Sequence, residues 1–111
     1  MNFLIIGSGF GIYGYLPAIY KNSKKIFLNI KFKKKIEKRM ELIRYLKRVI
    51  WYFDIKDIDK KIDYVVIALN PKKQFLITKK ILRFLKPKHI FLEKPISHTP
   101  NESLNFVKFL E

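Results

Sequence analysis

The chain has 111 residues, the size of one domain, and 49% of them are hydrophobic, enough to bury a core and to argue against disorder. It contains no cysteine, which excludes a disulfide framework and any thiolate metal site. Its formal net charge of +15 admits two readings, a polyanion partner (nucleic acid or anionic lipid) or solvated lysine faces; the basic residues are spread along the chain, which favours the second.

The N-terminus, Met1 to Gly7, has no basic leading region, and its apolar run is too short for a signal peptide. No stretch reaches the length of a membrane span, so the expected location is the cytoplasm with no membrane partner. Asn2 to Ile6 reads as a short buried strand ending at a glycine turn, Gly7-Ser8-Gly9-Phe10-Gly11. A helix is predicted from about Phe10 to Tyr20, with Pro17 expected to kink it or delay its start. Ile26 to Lys31 reads as a second strand. Lys34 to Leu46 carries Ile36, Met40, Ile43 and Tyr45-Leu46 at near-helical spacing with charges between them, which predicts a helix. Ile50 to Phe53 reads as a third strand, and Asp54 to Lys61 as a polar loop with room for one helical turn.

Tyr64 to Leu69 is continuously apolar and rich in β-branched residues, as expected of a parallel strand buried on both faces. Asn70-Pro71 stops it. A helix follows from Lys72 to Leu85, with Phe75, Ile77, Thr78, Ile81, Leu82 and Leu85 inward, and Pro87 ends it. His89 to Leu92 reads as a fifth strand. Thr99-Pro100-Asn101-Glu102 then offers an N-cap, a proline at the first helical position and a glutamate at the third, ahead of the apolar positions Leu104, Val107 and Leu110. Strands alternating with helices predict an α/β fold, a doubly wound parallel sheet of about five strands in the order 3-2-1-4-5 with helices on both faces.

A strand, a glycine turn and a helix at the start of such a fold is the dinucleotide-binding arrangement. Gly7 would allow a tight turn, and Gly9 would let backbone N–H groups approach a pyrophosphate held at the helix N-terminus. The third glycine of that pattern should fall at position 12, where this chain has Ile12; glycine stands at Gly11 and Gly14 instead. The acid that usually binds the ribose 2′-hydroxyl about twenty residues further on is absent. The segment reads Asn29-Ile30-Lys31-Phe32-Lys33-Lys34-Lys35, and its cations, Lys31 and Lys33 foremost, suit a 2′-phosphate, so NADP is favoured over NAD.

Three pieces in order carry a resemblance: Ile6-Gly7-Ser8-Gly9-Phe10-Gly11 followed by Leu16-Pro17-Ala18, then Asp63 to Pro71, then Glu93-Lys94-Pro95 after the fifth strand. Together they resemble the N-terminal NAD(P)-binding domain of the Gfo/Idh/MocA oxidoreductases, named for glucose–fructose oxidoreductase and inositol dehydrogenase. The resemblance spans essentially the whole chain, and the Glu-Lys-Pro triplet is its most specific part. It implies hydride transfer with a sugar-like or cyclitol-like hydroxyl substrate. It makes Lys94 the catalytic candidate, a cation beside the nicotinamide that polarises or protonates the substrate oxygen. It places Glu93 beside the cofactor ribose or against the lysine, and Ser8 and Phe10 in the pyrophosphate turn. Leu69 and Asn70 would line the adenosine side, and Gln74 stands where the family commonly carries a histidine.

The resemblance also implies a second domain that supplies the substrate pocket and the acid–base residue. Residues 1–111 are therefore expected to form a single dinucleotide-binding domain with the substrate domain absent, incomplete as an enzyme alone. Homo-oligomers or a separate C-terminal chain would complete it, and an open edge at strand five would favour association. His89 is expected at the far end of the sheet and His98 in a loop, neither replacing the missing acid–base group. The alternatives are a non-catalytic nucleotide-binding module or gene remnant, and, resting on charge alone, a small basic nucleic-acid-binding protein.

Overall fold

A computed structural model of the chain describes residues 1–7, 9–58 and 61–92, with the side chains of residues 9–13 and Pro71 outside that description. Ser8, Glu93-Lys94-Pro95, His98 and the capped segment beginning at Thr99 lie outside the described residues.

Five strands form one parallel sheet: β1 (Asn2–Gly7), β2 (Lys25–Asn29), β3 (Val49–Tyr52), β4 (Tyr64–Ala68) and β5 (His89–Leu92). Their order is β3-β2-β1-β4-β5, as the alternating pattern predicts. The centre of the sheet is its most apolar part. Leu4, Ile26, Leu28, Val65 and Ile67 are fully buried, because a parallel sheet with helices on both faces gives these strands no solvent side.

Alternation along each strand divides the core in two. Leu4, Ile6, Phe27, Val65 and Ile67 face α4 (Pro71–Phe84) through Ile81. Ile5, Ile26 and Leu28 face α1 (Gly9–Tyr20) through Leu16. The helix α1 runs through Pro17 without interruption, although proline removes one backbone hydrogen bond from a helix interior.

Several boundaries differ from the sequence expectation. The second strand ends at Asn29 instead of Lys31, because the Asn29 side-chain oxygen accepts the Lys31 N–H at 2.9 Å and starts a 3-10 turn over Ile30–Phe32. The single helix expected over Lys34 to Leu46 is two short ones, α2 (Lys33–Glu37) and α3 (Met40–Ile43), followed by a 3-10 turn over Arg44–Arg48. The break falls at Arg39, whose backbone is extended (φ −95°, ψ 104°). It re-aims the chain so that Ile36 and Leu42 reach the core, while Met40 and Ile43 are left exposed. The polar loop after β3 does contain one 3-10 turn, over Ile55–Asp57. It is nonetheless anchored, because Ile55, Ile58 and Ile62 all insert into the α4-side core between their charged neighbours.

At the N-terminal edge of the sheet, Asp63 ties three strands together. Its carboxylate accepts the Asn2 N–H at 2.9 Å, its N–H donates to the Asn2 carbonyl at 2.9 Å, and its carbonyl accepts the His89 N–H at 3.0 Å. His89 stands at that edge as expected, stacked on Tyr64.

Candidate functional site

The strand order reverses direction at β1, between β2 on one side and β4 on the other. In open parallel sheets the crevice beyond the carboxyl ends of the strands at such a point is where ligands bind. A cleft of about 500 Å³ lies there, within the range of small-molecule sites. Its walls come from four strand tips and one helix: Gly7 after β1, Asn29 and Lys31 after β2, Tyr52 to Asp54 at the end of β3, and Leu69 and Asn70 after β4. Lys73, Ile77 and Lys80 of α4 close the side.

Gly7 is required at the tip of β1 for a steric reason. A Cβ there would stand 2.6 Å from the carbonyl oxygen of Ala68, its partner across β4. No glycine with positive φ occurs among the described residues, and what Gly7 supplies here is a close strand-to-strand approach. Helix α1 begins at Gly9, so Gly9, Phe10 and Gly11 belong to its first turn instead of to a loop. That correction suits an anion. The first four N–H groups of a helix have no intrahelical partner and carry partial positive charge.

The second wall is built by capping. Asn70 is the N-cap of α4; its side-chain oxygen accepts the Lys72 N–H at 2.9 Å, and Pro71 follows at the first helical position. This fixes the β4–α4 loop over the cleft and turns Lys73 and Lys80, seven residues apart and so on one helix face, toward it. Gln74 is fully buried on the other side of that turn, where its carbonyl accepts the Thr78 hydroxyl at 2.7 Å. Lys33 is exposed at the start of α2 and is not part of the cleft wall.

The electrostatics of the cleft are cationic. Lys31, Lys73 and Lys80 face a single carboxylate, Asp54. The Lys56 backbone N–H, then the Lys80 and Lys56 ammonium groups, hold Asp54 below the usual carboxylate range. Burial pushes the Tyr52 phenol up to about 12, against a hydrogen bond with the Asn29 side chain. Tyr52 is therefore neutral near pH 7 and is no general base there. Asn29 occupies the tip of β2 without charge, both of its roles being structural: capping Lys31 and holding Tyr52.

A larger hollow of about 690 Å³ lies on the α1 face, against Phe3, Tyr64, Val66 and Phe91. Its described lining contains no lysine, arginine or carboxylate, and it includes none of the tips of β1 to β4. The smaller, cationic cleft is the one that suits a phosphorylated ligand.

Over residues 1–111 the chain matches the Gfo/Idh/MocA family model, described as the oxidoreductase family, NAD-binding Rossmann fold. The chain belongs to the Gfo/Idh/MocA oxidoreductases. No curated protein and no solved structure matches it. For a Gfo/Idh/MocA domain the ligand of the cleft is a nicotinamide dinucleotide, and the residues present fit one: a β1 tip that carries no side chain, a helix N-terminus beside it, and a cationic far wall. Of the residues singled out in the sequence, Gly7, Lys31, Leu69 and Asn70 come together around this cleft. Phe53, Lys73 and Lys80 were missed; the seven-residue lysine spacing behind an Asn-Pro helix start was the available signal. Among the described residues no helix is long and apolar enough to cross a membrane, and no cluster of metal-ligating side chains occurs.

Proposed function

We propose that this chain forms the cofactor half of a hydride-transfer site that takes NADP(H) in preference to NAD(H) and acts on a hydroxyl of a sugar-like or cyclitol-like substrate. One observation carries the reading. The cleft at the β1–β4 reversal combines the sterically required Gly7, the start of α1 and three lysines, in a chain of an NAD-binding family.

The pyrophosphate lies against Gly7, Ser8, Gly9, Phe10 and Gly11, where unpaired N–H groups of the first turn of α1 meet its charge. The adenosine side is lined by Leu69 and Asn70, with Gln74 positioning the first turn of α4 from behind. Lys31, aided from the rim by Lys33, takes the 2′-phosphate; the uncharged Asn29 at the β2 tip supports this, since a carboxylate there would repel it. When bound, the nicotinamide supplies the hydride acceptor or donor. Lys94 contributes a cation or a proton at the substrate oxygen, and Glu93 orients Lys94 or meets the nicotinamide ribose. The matched family model is the NAD-binding Rossmann fold, so residues 1–111 supply the cofactor side and bind dinucleotide without turning it over.

Incubating the chain with NADP⁺ and a panel of polyols, while following nicotinamide absorbance, tests this. Saturable binding with no absorbance change is expected. Turnover by these residues alone would show that the substrate side is present after all.

A further inference from the structure

Leu76 lies near the middle of α4 and is 71% exposed. A leucine left in water forgoes the burial that Ile81 on the same helix achieves. Its four neighbours on the helix surface, three and four residues to either side, are Lys72, Lys73, Lys79 and Lys80, all exposed. Arg83, also exposed, stands seven residues beyond Leu76 on the same line. The helix itself carries no carboxylate. The adjoining turn after β3 supplies Asp54 and Asp57 together with one further cation, Lys56, and the Lys80 and Lys56 charges help to hold Asp54 ionised. The face keeps an excess of cations.

Helix stability does not account for this arrangement. Lys72 and Lys73 sit in the first turn, where the helix dipole disfavours cations, and Lys79 and Arg83, four residues apart, repel one another. A leucine ringed by lysines matches the chemistry of an anionic bilayer. The apolar tip enters the acyl boundary while ammonium groups on flexible stems reach the lipid headgroups. Single-stranded nucleic acid asks instead for an open aromatic face beside the cations. On this helix the rings are already covered, Phe84 by Lys56 (5.3 Å) and Arg83 (5.6 Å), and Phe75 by Lys79 (4.4 Å). We propose that the outward face of α4 is a docking surface for an anionic lipid bilayer, with Leu76 inserted between headgroups and Lys72, Lys79 and Arg83 paired with their charges. Among the described residues no helix is long and apolar enough to span a bilayer, and a helix lying on one needs to be neither. Lys72, Leu76 and Lys79 do not line the cleft, so the surface is independent of what fills it.

Co-sedimentation of the full chain with vesicles tests the surface, using phosphatidylcholine alone and equal parts of phosphatidylcholine and phosphatidylserine, with polyuridylate and polyglutamate as soluble polyanions. Binding to the phosphatidylserine vesicles is expected to be about tenfold tighter than to phosphatidylcholine, or more, and to weaken as salt rises. Lys72→Gln combined with Lys79→Gln is expected to weaken it by about thirtyfold, each lysine near an anionic surface being worth about fivefold. Leu76→Gln is expected to weaken it by about fivefold while leaving any polyuridylate binding unchanged, because only a bilayer has an apolar interior to enter. All three positions are exposed, glutamine is a good helix former, and thermal melts check that the variants fold. Equal binding to the two vesicle compositions overturns the proposal, as does a Leu76→Gln or double-lysine variant that binds phosphatidylserine vesicles like the parent chain. Polyuridylate or polyglutamate bound more tightly than those vesicles, through the same lysines, makes the face a site for that polyanion and overturns the bilayer assignment.

Discussion

Gly7 and Ala68 are paired across β1 and β4 so closely that a methyl group on Gly7 would stand 2.6 Å from the Ala68 carbonyl oxygen. The clash is with backbone in the centre of the sheet, so it cannot be relieved by a side-chain rotation. Gly7→Ala is expected to cost about 3 kcal/mol, the upper end of overpacking, and to weaken dinucleotide binding by moving the start of α1. Gly14→Ala is the control. Nothing lies within 4 Å of a Cβ there, and an exposed helical alanine is expected to gain about 0.5–1 kcal/mol over glycine. Urea denaturation of both variants measures the contrast; equal effects would contradict it.

Lys86 shows the converse. It has φ 44°, in the left-handed region, just past the end of α4 and before Pro87. Helices commonly end on glycine in this conformation because a Cβ costs about 1 kcal/mol there. Lys86→Gly is expected to raise stability by about 0.5–1 kcal/mol, read as a higher urea midpoint with unchanged slope.

Arg48 closes the C-terminal end of α1. Its guanidinium donates to the carbonyls of Tyr20 (2.6 Å) and Ser23 (3.0 Å) and lies 4.3 Å from the Tyr20 ring centroid. One planar group makes all three contacts, which a lysine ammonium reproduces poorly. Arg48→Ala is expected to lose about 2 kcal/mol, as for hydrogen bonds made by a charged group. Arg48→Lys is expected to recover less than half of that by the same urea measurement.

Asp63 predicts an acid limb in stability. The Asn2 N–H first, then the Lys88 ammonium (3.8 Å), the N-terminal amine and Lys61, hold its carboxyl below the usual carboxylate range. A folded-state pKa below the unfolded value means the contribution is complete above the unfolded pKa and is lost as pH falls through the folded one. Asp63→Asn is expected to lower the melting temperature at pH 7, and that difference is expected to shrink progressively as pH falls below about 4. A constant difference across that range would contradict the assignment.

Most of the sheet was legible in the sequence because its strands are continuous apolar runs. Tyr64 to Ala68 needs no context to be read as a buried parallel strand, and the alternation of runs and helices gives the strand order. Lys34 to Leu46 misleads a reading of the sequence because Ile36, Met40 and Ile43 imitate a helical face. Tertiary packing selects Ile36 and Leu42 instead and breaks the helix at Arg39 to reach them. Ile55, Ile58 and Ile62 were hidden for the opposite reason, being single apolar anchors among charges with no period to reveal them. In the site, Gly7 and Asn70 were readable because local backbone chemistry places them at a strand tip and a helix cap. Phe53, Lys73 and Lys80 acquire meaning only when four separate strand tips and α4 meet at one cleft.

The most direct measurement is fluorescence titration of the full chain with NADPH and NADH at several salt concentrations. Saturable binding of both is expected, tighter for NADPH and displaced by 2′,5′-ADP. No saturable signal with either dinucleotide, together with DNA binding that falls steeply with salt, would contradict a dinucleotide domain and return the +15 charge to a polyanion partner.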